Sequence, residues 1–125
     1  MQPAIAHHYI DLKGTGTVHY LTAGQGPPLV MVHGLAASVV TWHENFHPLS
    51  RQYTLYAVDL PGHGDSVRPK LEYSLETGTG FLLAFLDTLG LDQGVSLMGN
   101  SLGGLLCMAA AMRTPAAYIG MIGSK

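Results

Sequence analysis

Charge is scarce in this sequence. Only 11% of its 125 residues are Asp, Glu, Lys or Arg, the formal net charge is −2, and the few basic residues form no cluster. Without such a cluster there is no electrostatic footprint for a nucleic acid or an anionic membrane surface, so neither is expected as a partner. Long hydrophobic runs are lacking too, which leaves no candidate for a membrane-spanning helix. The start, Met1-Gln2-Pro3-Ala4-Ile5-Ala6, lacks the charged opening and apolar core of a secretory signal, so a cytoplasmic location is expected. The single cysteine, Cys107, can close no internal disulfide and reads as a packed thiol on a helix. Repeats, low-complexity tracts and linkers are absent, so residues 1–125 read as one domain. Histidine is plentiful but unevenly placed: all seven, at positions 7, 8, 19, 33, 43, 47 and 63, precede Ser101.

What the sequence does contain is a series of short apolar runs separated by turn residues. Tyr9 to Leu12 and Thr17 to Ala23 read as strands joined by the hairpin signal Lys13-Gly14-Thr15-Gly16. Gly24-Gln25-Gly26-Pro27-Pro28 stops the second strand, and Leu29 to Val32 has the continuous apolar character of a buried parallel strand. Thr41 to about Ser50 reads as helix, Tyr53 to Val58 as strand, and Leu60 to Tyr73 as a long loop. Ser74 is placed to cap a helix carrying Leu75, Leu82, Phe85, Leu86 and Leu89, with Gly90 at its end. Gly78 and Gly80 weaken its first turns by about 1 kcal/mol each relative to Ala. Val95 to Met98, a helix after Ser101 and Tyr118 to Ile122 complete the series. Strands alternating with helices predict an α/β fold with a mostly parallel sheet covered on both faces.

The chemistry centres on Gly99-Asn100-Ser101-Leu102-Gly103, which lies between the apolar run 95–98 and the small-residue segment 105–112. Strand, tight turn and helix in that order form a nucleophile elbow. Its two glycines let the backbone pass close to itself while the serine hydroxyl is pushed into the open at a helix start. An ordinary helix-capping serine is the plainer reading, but it requires neither glycine nor the preceding strand.

Four stations in register then resemble the N-terminal half of an α/β-hydrolase. They are Val32-His33-Gly34-Leu35, Trp42 with Pro48-Leu49, Asp59-Leu60-Pro61-Gly62-His63-Gly64-Asp65-Ser66, and Gly99-Asn100-Ser101-Leu102-Gly103-Gly104. The resemblance implies a three-layer α/β/α sheet truncated after about the sixth strand, a partial domain without a cap region or the segment that completes a catalytic triad. It is similar to the esterase, lipase, haloperoxidase-like and carbon–carbon bond hydrolase branch. A serine at the elbow argues against the dehalogenases and epoxide hydrolases of the fold, which carry aspartate there. The implied reaction is acyl transfer from a small ester-like substrate through an acyl-enzyme, with Ser101 as nucleophile and no cofactor. The implied oxyanion donors are the backbone N–H groups of Leu35 and Leu102. Gly34, Gly99, Gly103 and His33 are the implied structural residues of the elbow and its loop. A catalytically silent binding member of the same fold is the alternative.

In this fold the triad runs Ser, acid, His along the chain, and neither later partner can be assigned. His33 and His63, and likewise Asp59 and Asp65, read as loop-bracing residues. The sixth strand would be an exposed edge, so self-association or a complementing C-terminal half is expected, and the chain alone is expected to be inactive. His43-Glu44-Asn45-Phe46-His47 also spells the zinc-protease helix motif His-Glu-x-x-His. Glu72 or Glu76 would have to serve as third ligand. Pro48, expected to end or kink the helix directly after His47, and the match of Trp42, Pro48 and Leu49 to the hydrolase helix weigh against it, so no metal is expected.

Overall fold

The hairpin, the buried parallel runs and the three helices read from the sequence are all present in the structure, a computed structural model that describes residues 4–68, 74–91, 94–114 and the backbone of 116–122. The end of the loop after residue 68, with Glu72, lies outside the described residues. Strands β1 (Ala6–Leu12) and β2 (Gly16–Gly24) form the expected antiparallel hairpin. They are followed by β3 (Pro28–Val32), α1 (His43–Ser50), β4 (Thr54–Val58), α2 (Leu75–Thr88), β5 (Val95–Asn100), α3 (Leu102–Ala111) and β6 (Ala116–Ile122). The six strands form one sheet in the order β1-β2-β4-β3-β5-β6. Pairings β4–β3, β3–β5 and β5–β6 are parallel, while β2 runs antiparallel to both its neighbours.

Period-two alternation divides the apolar residues between two layers. Val18, Val30, Val32, Val58 and Leu97 face α2 and α3, where they meet Leu82, Phe85, Leu86 and Leu106. Leu21, Leu29, Met31, Leu55 and Ala57 face the other way, against Trp42 and Phe46. Each fully buried aliphatic side chain in these layers contributes roughly 1.5–3 kcal/mol.

Two helices differ in detail from the sequence reading. A 3-10 turn, Val39–Trp42, capped by the Ser38 hydroxyl, precedes α1, so the helical segment starts earlier than Thr41 and is not uniformly α. Pro48 does not end it immediately after His47: it lies inside α1, which continues to Ser50. In so short a helix, the missing N–H of Pro48 removes one hydrogen bond while its φ still fits the helix. The first turns of α2 form despite Gly78 and Gly80. The Ser74 side chain accepts from the Thr77 N–H and the Thr77 hydroxyl accepts from the Ser74 N–H, a reciprocal cap that offsets the glycines. Among the described residues no helix is long and apolar enough to cross a membrane.

Candidate active site

Strand register brings the distant motifs to one edge. Val32 pairs with Val58 on one side and with Gly99 on the other. The residues that follow each strand, His33-Gly34-Leu35, Asp59-Leu60 and Ser101-Leu102, therefore emerge together at the carboxyl ends of three parallel strands. This is where open α/β sheets place their ligands.

Ser101 occupies the turn between β5 and α3 with φ 56° and ψ −117°, and its side chain is exposed. A non-glycine residue in this region costs roughly 1–3 kcal/mol and persists only where its surroundings enforce it. The enforcement is visible in the two flanking glycines. A Cβ on Gly103 would collide with the Val32 carbonyl and lie 2.6 Å from the His33 oxygen. A Cβ on Gly99 would run into the backbone of Gly103 and Gly104. Close packing of α3 on β3 and β5 thus requires both glycines. Gly34 approaches from the other side: its Cβ position is 3.2 Å from the Asn100 oxygen and 3.3 Å from the Ser101 Cβ.

The loop after β3 is fixed by imidazoles. His33, fully buried, donates from Nδ1 to its neighbour's carbonyl, Gly34 O, at 2.7 Å, and its Nε2 accepts from the Leu60 N–H at 3.0 Å. Burial holds its pKa below the ordinary histidine value, with the nearby His63 ring acting in the same direction. His63 accepts at Nε2 from the Ala36 N–H (2.9 Å) and donates from Nδ1 to Pro61 O (3.0 Å). Ala36 is held at φ 62°, and the Ala37 N–H closes a turn onto Gly34 O. With the Ala36 and Ala37 amides engaged, the Leu35 N–H is left with no acceptor among the described residues. Leu102 is the first residue of α3, where helix geometry gives its N–H no intrahelical acceptor.

Residues 27–118 match the family model for the α/β-hydrolase fold. The chain belongs to that family. It is 29% identical over 106 residues to (E)-2-((N-methylformamido)methylene)succinate hydrolase of Acinetobacter baylyi, a match that covers 85% of this chain and 40% of that protein. It is 36% identical over 104 residues to soluble epoxide hydrolase of a Corynebacterium species, covering 83% and 36%. In structure it superposes on a bacterial membrane phospholipase A with a TM-score of 0.89 at 28% identity, covering 96% of this chain and 40% of the other. The chain thus spans about 40% of the length of these hydrolases.

In this α/β-hydrolase chain the zinc-like motif is divided between other tasks. His43 donates from Nδ1 to Val40 O at 3.3 Å, and His47 Nε2 is 2.7 Å from the Arg51 guanidinium, a cation where a metal would have to sit. Among the described residues no three His, Cys, Asp or Glu side chains are grouped to hold a metal ion. Cys107 is buried on α3 and its thiol is pushed up to about 12 by desolvation, which keeps it protonated.

Asp59 is the hub that motif reading underestimates. Its carboxylate accepts from the Val39 N–H (2.9 Å), the Asp65 N–H (3.0 Å) and His19 Nδ1 (2.6 Å). Ser66 donates to Asp59 O and accepts from the His19 N–H. The turn residue Gly64 leaves no room for a Cβ beside this carboxylate. His19 escaped notice because a lone histidine in a strand carries no motif. Its alternation with Leu21 and Ala23 along β2 was the available signal that it points inward.

Proposed function

We propose that this chain carries the nucleophile and oxyanion-binding part of a serine hydrolase acting on a carboxylic ester or similarly activated carbonyl. The observation that carries the reading is the positive-φ turn at Ser101, which exposes a serine between β5 and the N-terminus of α3. In this reading the Ser101 Oγ attacks the carbonyl carbon. The oxygen that becomes negatively charged is received by the Leu35 and Leu102 N–H groups. The intermediate collapses by breaking the bond to the alcohol oxygen, the alcohol leaves with the proton given up by the serine, and water then cleaves the acyl-enzyme to the free acid. Each such donor is worth roughly 2.7–4 kcal/mol in the transition state. Serine at this position, where an aspartate would form an alkyl-enzyme ester instead, separates the proposed chemistry from that of the epoxide hydrolase relative.

The base is not among the described histidines near the elbow. Both ring nitrogens of His33 and of His63 are engaged by backbone groups, so neither is free to take the Ser101 proton. The reading places the histidine and its carboxylate outside these 125 residues. A cytoplasmic location belongs to the same proposal. The occupied imidazoles also favour a second reading, a catalytically silent member that binds without turnover. A fluorophosphonate probe separates the two in a protein that contains the complete domain. Rapid labelling abolished by Ser101→Ala supports the hydrolase, and absence of labelling in the folded wild-type domain supports the silent member.

A further inference from the structure

The α1 face of the sheet holds a cleft of about 330 Å³ whose lining includes His7, His19, His43 and Asp65 but not Ser101. Its chemistry follows from the direction of a hydrogen-bond chain. Asp59 is buried and already accepts two backbone N–H groups, so its carboxylate can only accept from His19 Nδ1. With the proton on Nδ1, neutral His19 offers Nε2 as an acceptor, and His7 Nδ1 lies 2.9 Å from it. When both rings are uncharged, His7 donates from Nδ1, which leaves its Nε2 unprotonated. His7 is exposed at the cleft, and its Nε2 has no partner among the described residues. Each link polarises the next, so the terminal nitrogen is a strengthened acceptor. His43 donates from Nδ1 to Val40 O, so its Nε2 is likewise an acceptor in the neutral ring.

The site therefore asks for donors. It also asks for positive charge, because its lining has two carboxylates, Asp59 and Asp65, and neither lysine nor arginine. The Asp65 side chain is exposed and engages no described residue. Leu21, Val39 and Phe46 supply an apolar floor. A metal ion is a poorer match, since no three ligating side chains converge among the described residues. We propose that this cleft binds a small organic ammonium ion with an apolar body, its N–H groups directed to His7 Nε2 and the Asp65 carboxylate. The volume lies at the lower end of small-molecule pockets and suits a single ring or a short branched chain. This proposal is independent of the chemistry assigned to Ser101.

The test is binding of benzylamine, benzyl alcohol and phenylacetate to a folded protein that contains the complete domain, followed by saturation-transfer NMR and calorimetry at mildly alkaline pH. There the benzylamine nitrogen is still a cation. Benzylamine is expected to bind at least about tenfold more tightly than the other two, the size of one charge-assisted hydrogen bond. His7→Phe keeps an aromatic ring beside His19 but removes both nitrogens, and Asp65→Asn removes an exposed charge without touching the core. Either should weaken benzylamine about tenfold, and Ser101→Ala should leave it unchanged. Equal or tighter binding of phenylacetate, undiminished binding in folded His7→Phe and Asp65→Asn, or no binding of benzylamine at millimolar concentration would overturn the proposal.

Discussion

Ser101 and His33 show how differently two residues of one edge respond to substitution. In the complete domain, Ser101→Ala is expected to lower ester hydrolysis by several powers of ten while leaving the thermal midpoint unchanged or slightly raised, since alanine removes only the oxygen. Retention of activity within a few-fold would refute the assignment. His33 should announce itself through pH instead. Its folded-state pKa is lowered, chiefly by burial, so the unfolded chain takes up a proton first as pH falls below the ordinary value of about 6.5. Stability that is fully present above that value is then lost as pH falls toward the lowered one. His33→Gln, which can still donate to Gly34 O and accept from Leu60 N–H, should be less stable at neutral pH yet show a shallower loss on acidification. Thermal midpoints of both proteins across the mildly acidic range decide this; parallel curves would assign the slope to other groups.

At the scale of elements, the same residue type has opposite value in two helices. In α3 a side chain at Gly103 meets strand β3 backbone that cannot yield. Gly103→Val is therefore expected to give insoluble protein, and soluble, fully active protein would contradict the tight-turn geometry. In α2 a Cβ at Gly80 meets nothing within 4 Å, and no positive φ is required there. Gly80→Ala should stabilise the fold by about 0.5–1 kcal/mol, read from chemical denaturation at unchanged denaturant slope. The Ser74–Thr77 cap explains why this helix starts where it does in spite of its glycines. Ser74→Ala should reverse that advantage by about 1 kcal/mol.

For the molecule as a whole, the strand and helix sequence was legible because period and punctuation agree. Apolar runs such as 29–32 and 95–98 are bounded by Gly and Pro; the first became a strand buried on both faces, the second one whose buried positions alternate with half-buried ones. The elbow was legible because the close packing of α3 on β3 and β5 leaves its mark in the sequence as two glycines at fixed spacing around the serine. The 3-10 turn before α1 was not, since Val39–Trp42 owes its conformation to the Ser38 cap and to the Asp59 carboxylate holding the Val39 N–H, a partner supplied from another loop. The His7–His19–Asp59 chain was hidden for the same reason: it spans two strands and a loop that only the sheet brings together. One expectation belongs to this scale. The 125-residue chain alone should not hydrolyse p-nitrophenyl acetate above a no-enzyme control, and it should self-associate through β6, which pairs with β5 on one side only within the described sheet. Serine-dependent turnover by a well-folded monomer would overturn both halves of this expectation.

The strained backbone at Ser101 has a consequence for the life of the polypeptide before it is finished. Gly-Asn-Ser-Leu-Gly has no local reason to adopt φ 56°; the conformation is imposed by α3 lying against β3 and β5, segments far apart in the sequence. Before those segments have come together, nothing in the five residues themselves holds the serine in that exposed turn. If Ser101 is the nucleophile proposed above, its reactivity is a product of maturation, gained only when α3 has docked against β3 and β5.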